Sequence, residues 1–474
     1  MSMKIIAYAL WLSVVIGAAQ APAAGGFITT TFGNGRACEH RGTLKVTAGS
    51  VQFNLSALPP ATKVLRATLQ MPITRLGGCV ATKVVPAGVE GTRPLKTRPP
   101  LHRSLDATDA VADWVARPDT NQGFAILQAG HADLKEAVLE VSFLGAVANA
   151  GPVVSRLQAE HRNGQTFLTW KEPDDVVNDD APSWEQFERA VLAARARREM
   201  TYRVYRSQNP ITFENLAAAE LVCEVPEATS CWCILAVKNT EHPGPGRKNG
   251  SPLRAGNLVL DDVVARYRLA DDRPPLRRGT GLAVLTATQP GRRYYAVTAA
   301  VDGKEALTRL TSGGNATGAI EEKPCRFPAI IKQRTRMVDP QHSGQSPVDL
   351  YVCWLEPPLV QFPRVVEIGI PRWSDLKPSA GERAGLYLNL AAYGSTATEI
   401  GDPGWHGARR YVSGAVTVSL AEEGTLFAGQ HECIDTLRGY EDGVVWNYEQ
   451  RRALAAAAWA IEKPDFFIDP RRVY

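Results

Sequence analysis

The stretch VQFNLSALPPATKVLRATLQMPI, residues 51–73, decides the fold of the first part of the chain. Val51, Phe53 and Leu55 alternate with polar residues, a pattern that predicts a strand with one buried face. Two consecutive prolines then predict a turn, because proline fixes φ and has no backbone N–H to donate. A second apolar segment, residues 64–73, predicts another strand. Short strands separated by turn residues are typical of an antiparallel β-sandwich.

The module that contains this stretch covers residues 26–145 and has one predicted helix. SLDATDAVADWVARPDTNQGFAIL places Thr108 at the helix N-cap and puts Val111, Trp114 and Val115 on one apolar side. A tryptophan at this spacing usually packs in a core. We therefore expect Trp114 to be buried rather than to bind a ligand.

This first module resembles the DNRLRE type of carbohydrate-binding-module-like jelly roll. The resemblance is carried by FNLSALPPATKVLRATLQM and by DATDAVADWVARPDTNQGFAIL. It implies a jelly-roll-like sandwich of a kind that occurs on secreted and surface proteins, often beside enzymes. By analogy alone it also implies a polysaccharide partner, with Trp114 as the alternative sugar-stacking platform.

A second β-sandwich is predicted over residues 153–318. QTFLTWKEP alternates between two faces, and in PGRRYYAVTAAVDGKE the side chains of Tyr295 and Val297 share one face. The module resembles a fibronectin type III domain. In that resemblance Trp170 takes the position of the core tryptophan, and Tyr294 takes that of the tyrosine corner.

The second module is longer than the roughly 100 residues that such a sandwich needs, so insertions are expected. One is a helix in APSWEQFERAVLAARARREM, where Ser183 and Gln186 form a capping box. A Gly/Pro-rich loop over residues 238–257 is another. Each sandwich is expected to close its own core without help from the rest of the chain.

Residues 325–474 have a different character, because apolar strands there alternate with a helix. VDLYVCWLEPP, RVVEIGIP, AGLYLNL and GAVTVSL predict strands, and NYEQRRALAAAAWAIEK predicts a helix. The apolar face of this helix is predicted to contain Leu454, Ala457, Ala458 and Ile461. A last strand is predicted from Arg471 to Tyr474. The alternation indicates a parallel α/β sheet, so the expected fold is two antiparallel sandwiches followed by an incomplete α/β domain.

This third region resembles the front half of an α/β-hydrolase domain of the secreted esterase and polyester-depolymerase kind. The resemblance is carried mainly by AGQHECIDTLRGYEDGVVWNYEQRRALAAAAWAIEKPDFFIDPRRVY, residues 428–474. In that family a similar end leads into the strand before the nucleophile elbow, and the triad order is Ser, then Asp or Glu, then His. The resemblance implies that all three follow Tyr474. No G-x-S-x-G occurs in the 474 residues, so this chain is expected to be truncated and inactive.

The resemblance leaves no catalytic residue in this chain but implies two accessory sites. The candidate oxyanion loop is Tyr393, Gly394 and Ser395, whose backbone N–H groups either bind an oxyanion or form a plain turn. The candidate substrate cleft contains Trp405, His406, His431 and Glu432. Adjacent acid and base residues suggest catalysis for His431 and Glu432. The alternative, which we favour, is that they tie their loop to its neighbours by hydrogen bonds.

The N-terminus predicts export. Lys4, the apolar run 5–16 and the small residues after it form a signal peptide over residues 1–23, and the run is too short to span a bilayer. The mature protein is expected to be secreted, periplasmic or on the cell surface. A net charge of +4 gives no reason to expect nucleic-acid binding. No metal and no cofactor are expected.

Eight cysteines in an exported chain favour disulfides. Cys38 and Cys79 are the cysteines of the first module, so we expect them to pair. Cys223 is expected to pair with Cys231 or Cys233, which lie in the same module.

Two classes of function follow from these features. The first is an exported serine hydrolase, carboxylesterase-like, that acts on an ester of a polysaccharide or polyester. The second is a non-enzymatic surface or carbohydrate-binding protein built from β-sandwiches.

Overall fold

The computed structural model describes residues 24–59, 62–74, 77–88, 91–147, 152–231, 264–306, 310–311, 313–338, 346–372, 381–390, 414–420 and 429–474. The described chain is mostly β-sheet, with several antiparallel sheets arranged as sandwiches. Several predictions lie outside the described residues, namely the signal peptide, Tyr393, Gly394, Ser395, Trp405, His406 and Cys233.

The first sandwich packs two sheets face to face. One contains β1 (Ala24–Gly33), β2 (His40–Arg41), β5 (Val64–Gln70), β7 (Ser104–Asp106) and β9 (Val138–Val147); the other contains β3 (Leu44–Thr47), β4 (Ser50–Phe53), β6 (Lys83–Pro86) and β8 (Phe124–Gln128). Alternate residues of both sheets, such as Leu69 and Phe53, are fully buried between them. This two-layer arrangement agrees with the β-sandwich that the 51–73 pattern predicts.

Helix α1 (Thr108–Ala116) packs against the core of this sandwich. Trp114 is buried and meets the ring of Phe124 at 4.7 Å, so it belongs to the core and not to a sugar platform. The prediction of Thr108 as the N-cap is wrong by one residue, because the N-cap is Ala107 and Thr108 is already helical. Its backbone N–H donates instead to the carboxylate of Asp106, 3.1 Å away.

The second sandwich is also formed by two sheets. One contains β10 (Ser155–Arg162), β11 (Gln165–Lys171) and β14 (Thr280–Thr286); the other contains β12 (Met200–Ser207), β13 (Glu220–Pro226), β15 (Gly291–Val301), β16 (Lys304–Ala306) and β17 (Ile320–Glu322). Trp170 and Tyr202 meet edge-on in its core. Helix α2 (Trp184–Arg197) begins with the predicted Ser183–Gln186 capping box.

The two adjacent tyrosines of β15, Tyr294 and Tyr295, lie on opposite faces of the strand. Tyr294 is only half-buried, whereas Tyr295 is fully buried and its hydroxyl donates to the carboxylate of Glu322. Strand alternation explains this difference, because Tyr295 shares its inward face with Val297 and the neighbouring residue must point outward.

The two sandwiches share one sheet. Strand β16 pairs antiparallel with β1, and Gly26 lies opposite Ala306. A Cβ atom at Gly26 would lie 2.2 Å from Val147 and 2.4 Å from the carbonyl oxygen of Glu305, so only glycine fits this junction.

The third region contains a mixed six-stranded sheet. Its order is β18 (Ile330–Val338), β19 (Ser346–Leu355), β20 (Arg364–Pro371), β22 (Ala415–Leu420), β21 (Ala384–Leu390) and β25 (Ile468–Val473). The prediction of a parallel sheet holds for β22, β21 and β25, but β18, β19 and β20 pair antiparallel. The last strand begins at Ile468, earlier than predicted.

Helix α3 (Tyr448–Glu462) covers one face of this sheet. The predicted apolar face is wrong at Leu454, whose exposed fraction is 69%. The inward face is built mainly from alanines at helical spacing, including Ala453, Ala456 and Ala460. Leu454 lies outside this set of inward positions, so its side chain faces away from the sheet.

The opposite face of the six-stranded sheet packs on the second sandwich. Phe167 and Leu282 of that sandwich share a core with Val348, Leu350 and Trp354. The rings of Phe167 and Trp354 meet edge-on at 5.6 Å. The second sandwich therefore has its own core around Trp170 and also buries its outer face against the third region.

Candidate functional site

His431 and Glu432, from the predicted cleft, lie in a short hairpin between the first sandwich and the third region. Strand β23 (Gln430–His431) pairs antiparallel with β24 (Val445–Trp446). Gly429 precedes the hairpin with φ of +92°, a conformation that favours glycine. After this turn the His431 ring contacts Cys79 of the first sandwich.

Glu432 makes contacts that hold its own loop. Its carboxylate accepts the backbone N–H of Val444 at 3.1 Å and lies 3.7 Å from the guanidinium of Arg438. Its backbone carbonyl accepts the side-chain amide of Gln361 at 3.1 Å. These bonds favour the loop-tying role over the catalytic one.

His431 is nearly inaccessible, with an exposed fraction of 5%. Its Nδ1 accepts the backbone N–H of Cys433 at 3.2 Å and lies 3.6 Å from the sulfur of Cys79. The ring stacks on Tyr440 with 4.4 Å between centroids. Because Nδ1 accepts, the neutral ring carries its proton on Nε2, which has no hydrogen-bond partner among the described residues.

The segment after His431 is anchored on the first sandwich through Asp435. Its carboxylate accepts the backbone N–H of Gly77 at 2.7 Å, and its own N–H donates to the carbonyl of Gly78 at 3.2 Å. The guanidinium Nε of Arg103 donates to the Asp435 carbonyl at 3.0 Å. Asp435 adopts φ of +59°, which aspartate tolerates better than most residues.

Leu437 extends the same anchor into the core of the first sandwich. Its exposed fraction is 2%, and it belongs to the same cluster as Phe53. Its N–H donates to the carbonyl of His102 at 2.8 Å, and its carbonyl accepts the N–H of Thr82 at 3.0 Å. A segment of the third region therefore completes the core of the first. Sequence reasoning missed this contact, since no local pattern points to a partner so distant in the chain.

The thiols at this junction are poor nucleophiles. Burial raises the pKa of the Cys433 thiol to about 11, and burial together with nearby Asp435 raises the pKa of Cys79. Thiols with raised pKa values stay protonated at neutral pH, whereas thiolates are the reactive form. The junction therefore lacks an activated cysteine.

The predicted disulfides are not formed in the structure. Cys38, Cys79, Cys223 and Cys433 all carry free thiols in the structure, so neither the Cys38–Cys79 pair nor a bond from Cys223 is present in it. The sulfur of Cys38 packs beside Gly33, whereas that of Cys79 packs against His431. The sequence argument considered partners only within one module. Among the described residues, no three His, Cys, Asp or Glu side chains are grouped to hold a metal ion.

The carboxyl edge of the parallel strands is the second place of interest. From β21 the chain leads to β22 on one side, and from β22 it returns through α3 to β25 on the other. Tyr474 follows β25 and exchanges backbone hydrogen bonds with β21, donating to Leu386 at 2.8 Å and accepting from Leu388 at 3.0 Å. The predicted oxyanion loop directly follows β21 in sequence.

No family model matches the chain, and neither a curated protein nor a solved structure matches it. Within the described residues, no helix is long and apolar enough to cross a membrane.

Proposed function

We propose that the chain is the N-terminal part of an exported α/β-hydrolase, a carboxylesterase-like enzyme whose substrate is an ester on a polysaccharide or polyester. The observation that carries this proposal is the parallel unit β22–β21–β25 with α3 packed across it. In this unit β22 lies on one side of β21, and the next strand in the chain, β25, lies on the other side.

Open α/β sheets bind ligands at the point where successive connections lead to opposite sides of the sheet. The crevice forms outside the carboxyl ends of the strands, between neighbours whose connections lead to opposite sides. Here that point lies between the ends of β21 and β25, at Leu390 and Val473. A hydrolase nucleophile is likewise presented on a tight turn after a strand.

The proposed roles within this chain are accessory. Backbone N–H groups of Gly394 and Ser395, directly after β21 in sequence, would stabilise the negative charge on the carbonyl oxygen of an ester under attack. The serine, the acid and the histidine of the triad would come after Tyr474 in chain order. His431 is not assigned as the base, because its Nδ1 already accepts the backbone N–H of Cys433.

The two sandwiches support the assignment of a jelly-roll-like and a fibronectin type III-like module before the hydrolase part. The burial of Trp114 removes the side chain that the sugar-binding alternative offered as its platform. A non-enzymatic surface protein is therefore treated as one outcome of the test below and not as a second proposal.

The test is active-site labelling of the natural protein. The protein is isolated from the medium or periplasm with an antibody against residues 152–231, treated with a fluorophosphonate probe and mapped by mass spectrometry. We expect stoichiometric labelling of one serine in a peptide that follows the sequence FFIDPRRVY.

Ser395→Ala provides the matched control, because the proposed donors at that loop are backbone N–H groups that the substitution keeps. Labelling should therefore persist in this variant. Loss of labelling because Ser395 is itself the labelled residue would overturn the assignment of roles. A natural protein that ends at Tyr474 and takes no label would favour the non-enzymatic alternative.

A further inference from the structure

Two cysteines from distant parts of the sequence meet at His431. The sulfur of Cys79 lies 3.6 Å from Nδ1 of His431, and the backbone nitrogen of Cys433 lies 3.2 Å from the same atom. Cys79 belongs to the first module and Cys433 to the third. Sharing one neighbouring atom brings the two residues into one small cluster.

The backbones on either side keep the two cysteines together. The carbonyl of Gly78 accepts the N–H of Asp435 at 3.2 Å, and the N–H of Gly77 donates to its carboxylate at 2.7 Å. The chain segments 77–79 and 433–435 are therefore held side by side, by these two bonds to Asp435 and by the contact of the Cys79 sulfur with His431. A disulfide requires its two cysteines to lie on such adjacent segments.

We propose that Cys79 and Cys433 form a disulfide that fastens the first sandwich to the third region. The inference rests on the proposed export of the protein, because an oxidising compartment is where such bonds persist. The bond would hold the Asp435 and Leu437 contacts in place by a covalent link, and it replaces the Cys38–Cys79 pairing that the sequence suggested.

The oxidation is balanced with a thiol–disulfide oxidoreductase as the oxidant. Cys79, which is partly exposed, loses its proton to solvent and attacks one sulfur of the oxidant's disulfide. Cys433 then loses its proton and attacks the mixed disulfide, which forms the Cys79–Cys433 bond. The two cysteines lose two electrons and two protons, and the oxidant leaves as a dithiol.

Peptide mapping of the full chain tests the proposal. The purified protein is equilibrated in an oxidised glutathione buffer, denatured, alkylated and digested with trypsin without reduction. We expect a cross-linked species of residues 76–83 with residues 411–438, which separates into its two peptides on reduction. Cys38 in the peptide 37–41 should be alkylated. Alkylation of both Cys79 and Cys433 in the wild-type protein would overturn the proposal.

Variants identify the partners independently. Cys79→Ser should convert Cys433 from protected to fully alkylated, and Cys433→Ser should do the same for Cys79. Cys325→Ser, which removes an exposed thiol, should leave the cross-link intact. Cross-linking of Cys79 to Cys38 would refute the assignment. If a serine variant fails to fold, the wild-type map still decides.

A bound metal is the competing explanation for thiols that resist alkylation. Stoichiometric zinc in the purified protein, with both thiols becoming reactive after chelation, would show a metal site and overturn the disulfide. The buffer oxidises the protein outside any cell, so a missing cross-link is a failure of this inference alone. A missing serine label is a failure of the proposed function alone.

Discussion

Replacing Leu437 with alanine tests how strongly the third region supports the first sandwich. The side chain is 2% exposed and lies among the core residues of that sandwich. Both backbone hydrogen bonds of Leu437, to His102 and Thr82, survive the substitution because alanine keeps the main chain. The loss is therefore one of packing, and a buried leucine-to-alanine change costs about 3 kcal/mol.

Hydrogen exchange can measure this loss where it acts. We expect amides of the core strands β4 and β8 to exchange about 100-fold faster in Leu437→Ala, since each 1.4 kcal/mol corresponds to about a factor of ten. The matched control is Leu454→Ala, the same substitution in the same region at a side chain that is 69% exposed. It should change stability by less than about 0.5 kcal/mol. Equal exchange rates in the two variants would refute the shared core.

Two further predictions concern buried carboxylates. The fully buried carboxylate of Glu305 accepts a hydrogen bond from the guanidinium of Arg203 at 2.6 Å. Glu305→Ala should therefore lower the free energy of unfolding, measured in urea, by about 3–5 kcal/mol. Glu220→Ala, which breaks an exposed pair with Arg206, should cost under about 1 kcal/mol; equal losses would contradict this. Burial raises the pKa of Glu172 from 4.5 to about 8, so the folded state holds a proton that the unfolded state releases, and stability falls as pH rises across that window. Glu172→Gln should flatten this fall, and parallel stability–pH curves for the two proteins would contradict it.

Features that depend on local spacing could be predicted from the sequence. The Ser183–Gln186 capping box and the burial of Trp114 both follow from residues within one helical turn of each other. Strand alternation placed Tyr295 and Val297 inward for the same reason. Such patterns act through the backbone of a single element, so they need no knowledge of the partner.

Features that depend on a distant partner could not be predicted. The exposure of Leu454 reflects which side of α3 the sheet covers, and the burial of Leu437 reflects contact with a sandwich formed by the first part of the chain. The neighbourhood of Cys79 and Cys433 has the same origin. Periodicity reports that a residue will be buried or exposed but not which surface will cover it.

The position of the Leu437 anchor gives the first sandwich a role in the proposed hydrolase. The anchor belongs to the connection between β22 and α3, which leaves the sheet at the carboxyl end of β22. Connections at these ends form the walls of the binding crevice in open α/β sheets. Asp435 and Leu437 fix this connection to the first sandwich through a buried side chain and paired backbone hydrogen bonds. In an enzyme of this kind the sandwich would shape the crevice wall and would then be a structural part of the proposed hydrolase.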